Sequence, residues 1–189
     1  MRRIIVGISG ATGVQMGKRL LEVLGEYPGV ETHLIISEGA RCTFQQETTI
    51  DIGAVESLAD YVHDDKNMAA SISSGSFRTD GMIILPCSMK TLSQIASGNA
   101  SNLLARAADV CLKENRKLVI CPREMPLGVI HLRNMLAAAE AGCTIIPPML
   151  TFYGKYETVL EQVDHIIGKV LAQFDMEYSR MTIWRGEQE

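Results

Sequence analysis

Five short stretches of this chain carry side chains suited to handling a phosphate and moving a proton. "GISGATG" (Gly7–Gly13) sets three glycines around two hydroxyls, Ser9 and Thr12, with Gly10 and Ala11 between them. A loop so free of side chains, placed between a strand and a helix, lets backbone approach a phosphate. It also reads as a plain tight turn, and its spacing is not the GxGxxG of dinucleotide sites. "CSMKT" (Cys87–Thr91) offers Ser88, Met89, Lys90 and Thr91 where a helix should start, and free backbone N–H groups with the helix dipole favour an anion there. "PREMP" (Pro122–Pro126) holds Arg123 and Glu124 between two prolines that restrict the backbone. A surface ion pair would contribute only about 0–1 kcal/mol and needs no such frame, so function is the better reading of the pair. Arg123 can grip a phosphate with two parallel hydrogen bonds, and Glu124 can exchange a proton. Ser37 and Glu38 form the fourth stretch. Glu38 suits a ribose hydroxyl of a nicotinamide cofactor, which keeps a dehydrogenase open beside a mononucleotide site. "PPMLTFYGKY" (Pro147–Tyr156) is the last.

These stretches share a position: each follows a run rich in Ile, Val and Leu. Strands are predicted at Ile4–Ile8, Thr32–Ser37, Gly81–Ser88, Lys117–Pro122 and Gly142–Pro148. Between them lie helical patterns at Val14–Glu26, Glu38–Phe44, Gly53–Leu58, from "CSMKT" to about Ser97, Asn102–Asn115 and Ile130–Ala141. Glu47 falls in the loop joining the two short helices. Thr158–Phe174 closes the series with an apolar stripe of Val159, Val163, Ile166, Ile167 and Val170. The alternation predicts a doubly wound parallel sheet, an α/β fold in one domain, with ligands beyond the carboxyl ends of the strands. Arg106, Lys113 and Arg116 share one predicted helix, where a charged stripe is ordinarily a solvated face. "SSGSFRTDG" (Ser73–Gly81) reads as a plain loop, a lid or a subunit contact.

The whole chain has 189 residues, 47% of them hydrophobic and 21% charged, with a formal net charge of −4. That length supports one core without disulfide or metal staples, and the apolar surplus points to surface buried against further copies. The negative balance argues against nucleic acid or a membrane surface as partner. The five cysteines include no CxxC pair, and several sit in apolar runs, which predicts free thiols in a reducing cytoplasm. The four histidines show no ligand spacing with them, so no metal site is expected. The start, "MRRIIVGISG", is too short and too broken by glycine for a signal peptide, and no run reaches transmembrane length.

Together, "GISGATG", "SSGSFRTDGMIILPCSMKTL", "NLLARAADVCLKENRKLVICPREMPL", "HLRNML" and "IIPPMLTFY", with Trp184 near the end, closely resemble the flavin prenyltransferase family, the UbiX-like proteins. The chain is similar in particular to the versions that accompany aromatic-acid decarboxylases, the B subunits of hydroxyarylic acid decarboxylases. The resemblance implies a flavodoxin-like Rossmann variant assembled into a homododecamer. It implies transfer of a dimethylallyl group from dimethylallyl monophosphate to N5 and C6 of reduced FMN without a metal, and prenylated FMN delivered to a UbiD-like decarboxylase. Carried over by residue, FMN contacts fall on Gly10, Ala11, Thr12, Ser37, Ser88, Met89, Lys90, Thr91 and Arg123. Prenyl-phosphate contacts fall on Tyr153 and Lys169, and Arg106, Lys113 and Glu124 complete a charged pocket between subunits. Glu47 matches the family's acid beside the reacting flavin. Trp184 matches an aromatic residue of a C-terminal tail, 175–189, that closes over the substrate and can face a prenyl cation. Thr12 replaces a common serine and Lys169 a common arginine, exchanging a fork for a point charge. A flavin-dependent decarboxylase or a non-catalytic FMN-binding subunit are the rival expectations.

Overall fold

Runs of Ile, Val and Leu that are apolar on every residue, not every second one, form strands buried on both faces. β4 (Gly81–Cys87) is the clearest case, with all seven residues buried. It lies inside a six-stranded, wholly parallel sheet with β1 (Arg2–Ile8), β2 (Val30–Ile36), β3 (Tyr61–His63), β5 (Lys117–Pro122) and β6 (Cys143–Ile145). The order is β3-β2-β1-β4-β5-β6. The chain therefore reverses its direction of travel across the sheet between β1 and β4, which opens a crevice at their carboxyl ends. The structure, a computed structural model, describes residues 1–184 and Gly186.

Helix α1 (Val14–Gly25) and α2 (Glu38–Glu47), followed by the short α3 (Ile52–Glu56), belong to the β1-to-β3 half of the sheet. The other face is covered by α4 (Met89–Ser97), α5 (Leu103–Lys113), α6 (Val129–Glu140) and a 3-10 turn at Ser71–Ser73. On that face Ile5, Ile35, Met82, Ile84, Leu118 and Ile120 of the strands meet Leu92, Leu104 and Ala107 of the helices. The outer surface of α6 is apolar: Val129, Ile130, Leu132 and Leu136 are 52–69% exposed. The chain divides into two compact units, Met1–Pro147 and Pro148–Glu189, and the second contains α7 (Val159–Ala172). Thr158 and Glu161 form a capping box at the start of α7.

The parallel α/β architecture matches the expectation, and four local readings need correction. β3 is a sixth strand that no apolar run announces. Its three residues join the parallel ladder of β2, and two of them add side-chain contacts: Tyr61 stacks on His33 at 4.8 Å, and His63 Nε2 meets His33 Nδ1 at 2.9 Å. Helix α2 continues to Glu47, because the Thr48 hydroxyl and N–H both bond the Phe44 carbonyl and end the helix there. β6 stops at Ile145, short of the Pro147–Pro148 pair, which supplies no ladder donors. Val159, counted in the apolar stripe of α7, lies off its buried face at 81% exposure, while Asp164 and His165 are buried.

Candidate functional site

The carboxyl edge of the sheet is built from hydroxyls that fasten the loops to one another. Ser9, fully buried, donates its hydroxyl to the Pro86 carbonyl at 3.1 Å and accepts the Ser88 N–H at 2.7 Å. The opening loop is thereby pinned to the end of β4, the neighbouring strand. Ser88 in turn caps α4: its Oγ accepts the Thr91 N–H at 3.3 Å and donates to Thr91 Oγ1 at 3.2 Å. Ser37 caps α2 by accepting the Ala40 N–H at 3.2 Å. Gly10 lies against Gly39 so closely that a Cβ on Gly10 would stand 2.7 Å from the Gly39 carbonyl carbon. Only glycine lets the opening loop and the first turn of α2 meet. Three helix starts, α1, α2 and α4, thus converge at adjacent strand ends. The first turns of α1 and α4 carry no acidic residue, which suits an anionic group.

Glu47 is drawn to this edge as well. Gly13, left-handed at φ 91°, is the N-cap of α1 and has no side chain to close it. Glu47 Oε2 accepts the N-cap's own N–H, that of Gly13, at 3.2 Å. A carboxylate at a helix N-terminus contributes about 0.3–1 kcal/mol. The proton-handling candidate is therefore tied to the loop that carries Thr12. Beside it, Gln15, Gln46, Thr48, Thr49 and Ile50 line an open cavity of about 520 Å³.

At the end of β5 the Arg123 N–H donates to the Cys87 carbonyl at 3.1 Å, which sets the start of "REMP" next to "CSMKT". The side chains of Arg123 and Lys90 have no ion-pair partner among the described residues. Among the described residues the exposed Glu124 accepts only the Met125 N–H, at 3.0 Å. Cys87 immediately precedes the Ser88 cap but is fully buried, a poor setting for a thiolate. Burial, reinforced by Cys121 and Cys143, pushes its thiol well above the usual range.

Gly10, Ala11, Thr12, Ser37, Glu47, Ser88, Met89, Lys90, Thr91, Arg123 and Glu124 therefore share one edge of the first unit. Arg106 and Lys113 do not join them within one chain. Arg106 bonds Asp109 at 2.6 Å and the Ser73 carbonyl at 3.1 Å. Lys113 is the last residue of α5, at the amino edge of the sheet where β5 begins, and pairs with Glu114 at 2.6 Å. Arg116 lies beyond the helix that was to carry it. Its guanidinium takes the carbonyls of Gly75 and Phe77 at 2.5 and 2.8 Å, fastening "SSGSFRTDG" at the amino edge, away from any lid position. Among the described residues no group of three or more His, Cys, Asp or Glu forms a metal-ligand cluster.

In the second unit the expected substrate residues gather around one that sequence reasoning missed. Tyr153 OH lies 3.0 Å from His165 Nε2, and Tyr156 OH lies 2.6 Å from His165 Nδ1. Trp184 meets the Tyr153 ring edge-on, centroids 5.8 Å apart. Lys169 follows His165 by one helical turn, with its side chain exposed. Burial, and then the Lys169 charge, hold His165 below its usual value, so the ring is neutral.

A sequence model of the Flavoprotein family matches residues 1–173. A probable UbiX-like flavin prenyltransferase of Sedimentibacter hydroxybenzoicus is 59% identical over 187 residues, 99% of each chain. Two solved structures superpose on the chain closely. A dodecameric FMN-dependent UbiX-like decarboxylase from Escherichia coli O157:H7 has 52% identity and a TM-score of 0.95, over 97% of this chain and all of that one. A UbiX protein in complex with FMN and dimethylallyl pyrophosphate has 47% identity and a TM-score of 0.96, over 99% of both chains. Likeness at this level over nearly the full length places the chain, plainly, in the flavin prenyltransferase family.

Proposed function

We propose that this protein transfers the dimethylallyl group of dimethylallyl monophosphate to reduced FMN, without a metal ion, and that a UbiD-like aromatic-acid decarboxylase receives the prenylated FMN. The observation that carries this reading is the carboxyl edge itself. Three helix starts, two of them hydroxyl-capped, sit beside a glycine cradle that a single Cβ would fill, with Arg123 and Lys90 in no ion pair among the described residues. These are the groups a flavin mononucleotide needs. Reduced FMN supplies two nucleophilic positions, N5 and C6, when bound. The chain's own residues do the rest. Arg123, Lys169 and the Tyr153 hydroxyl stabilise the phosphate that departs with the C–O bonding electrons. Each charge-assisted hydrogen bond contributes about 1.5–3 kcal/mol. Glu47 and Glu124 take up the protons released at N5 and C6; one returns to the vinylic carbon of the prenyl group, whose double-bond electrons make the second bond, and the other ends on the departed phosphate. Trp184, on a tail that closes over the substrate, shields the allylic carbon from water and faces its developing positive charge.

Arg106 and Lys113 join the site from neighbouring copies in a homododecamer. The apolar outer face of α6 supports assembly, since patches of that kind are covered in stable proteins. No described helix is long and apolar enough to cross a membrane, and four buried free thiols suit a reducing cytoplasm. The test is anaerobic incubation with reduced FMN and dimethylallyl monophosphate, followed by mass spectrometry of the released flavin. A flavin heavier by one dimethylallyl group is expected. Unmodified flavin, with or without decarboxylation of an added aromatic acid, overturns the reading.

A further inference from the structure

We infer that His165 is a positioning residue that, anchored by Tyr156, holds the Tyr153 hydroxyl as a hydrogen-bond donor toward the prenyl phosphate. The inference rests on the reading of Tyr153 as a phosphate ligand. A neutral imidazole has one donor nitrogen and one acceptor nitrogen, so the two tyrosines cannot play the same part. Two arrangements exist. In one, Tyr153 donates to Nε2, and its oxygen is left with lone pairs only, which repel a phosphate. In the other, Tyr156 donates to Nδ1 and Nε2–H donates to the Tyr153 oxygen, leaving the Tyr153 proton free for a phosphate oxygen. The distances select the second. Hydroxyl donors make shorter bonds than ring N–H donors, and the Tyr156 contact is 2.6 Å against 3.0 Å for Tyr153. The received bond also polarises the Tyr153 O–H and strengthens its donation.

The surroundings serve the same end. His165 is only 1% exposed, so its two ring nitrogens are occupied by the tyrosines and not by bulk water. Gly154 lets Tyr156 fold back: a Cβ there would stand 2.2 Å from the Tyr156 ring. Burial keeps the imidazole neutral, and the charge of Lys169, one turn along α7, acts in the same direction. Tyr153, by contrast, is 37% exposed, open to a ligand.

The test is a double-mutant cycle on the full-length protein with FMN, reading kcat and KM for dimethylallyl monophosphate, with the FMN Kd as a control for folding. Tyr153→Phe and His165→Leu should each raise KM about tenfold, the effect of one hydrogen bond to a charged group, with the FMN Kd unchanged. In the Tyr153→Phe background His165→Leu should add nothing, because it acts only through Tyr153. His165→Gln, whose amide nitrogen can stand in for Nε2–H, should recover most of the lost affinity. If His165→Leu fails to fold, Tyr156→Phe, which frees the tautomer, should raise KM a few-fold alone and not at all beside Tyr153→Phe. A full His165 effect in the Tyr153→Phe background overturns the inference, as does a wild-type KM for His165→Leu when Tyr153→Phe is impaired. An unimpaired Tyr153→Phe removes Tyr153 from the phosphate and the inference with it, while formation of the prenylated flavin still reports on the proposed function separately.

Discussion

The two edges of the sheet use arginine in opposite ways. At the amino edge, Arg3 Nε pairs with Glu31 at 2.5 Å, and its guanidinium lies 4.8 Å over the Phe77 ring. Arg116 is equally engaged, with Gly75, Phe77 and, at 3.4 Å, Thr79 Oγ1. At the carboxyl edge, Arg123 has its backbone fastened to Cys87 and its guanidinium without an ion-pair partner among the described residues. Position in a parallel α/β sheet explains the contrast. Loops entering the strands have only the fold to hold together, and there Arg3 and Arg116 are spent on a carboxylate and on carbonyls. Loops leaving the strands frame the crevice, and a cation saturated there could not meet a ligand.

Substituting one arginine at each edge breaks the comparison open. Arg116→Ala should cost the most, about 3 kcal/mol of folding stability, because two half-buried carbonyls lose a charged donor at once. Urea unfolding should show it as a lower midpoint, with FMN affinity of the folded protein unchanged. Arg123→Ala should do the reverse. Its unfolding midpoint should stay within about 0.5 kcal/mol of wild type, and kcat/KM for prenyl transfer should fall about 10²-fold, the effect of one preorganised donor. A destabilised Arg123→Ala, or an Arg116→Ala impaired in kcat/KM while fully folded, would erase the distinction between the edges.

This division was only half legible in the sequence. Strand runs ending in "SGATG", "CSMKT" and "PREMP" mark the carboxyl edge directly, because each loop follows an unmistakable Ile, Val and Leu segment. Glu47 was readable as a candidate but not as a partner of Gly13, since 34 residues separate them and only the α1–α2 packing closes the gap. Arg116 looked like one more charge on a solvated helix face. Its partners are backbone carbonyls, which every residue has and no pattern advertises. β3 escaped for a related reason: its ladder to β2 is three residues long, and the side chains that reinforce it are Tyr61 and His63 against His33, not an apolar run. His165 gave a faint signal in "VDHIIG", a polar pair set among the buried residues of an amphipathic helix. Its meaning needed Tyr153 and Tyr156, which approach from a loop of no regular period.

The histidines offer the gentlest test, and one that reaches both units. In the first, burial and then the His33 charge hold His63 below its ordinary value of 6.5. In the second, burial and then Lys169 do the same to His165. Both rings are neutral in the fold, whereas in the unfolded chain they bind protons as pH falls through about 6.5. Between that value and the lowered folded values the unfolded state carries more protons, so folding stability is full above pH 6.5 and declines as pH falls below it. Glu31 adds a second decline at lower pH. The hydrogen bond from His33 and then the Arg3 guanidinium hold its carboxylate below the ordinary 4.5, so its contribution is present above that value and is lost beneath it. Urea midpoints measured from pH 7.5 to 5.5 should therefore drift downward in the wild type. His63→Gln and His165→Gln should each flatten part of the drift, and their effects should add, because the two sites share no partner in hydrogen bonding. A drift untouched by both substitutions would mean that the imidazoles are not held neutral by their surroundings. The tautomer assigned to His165 would then lose its support.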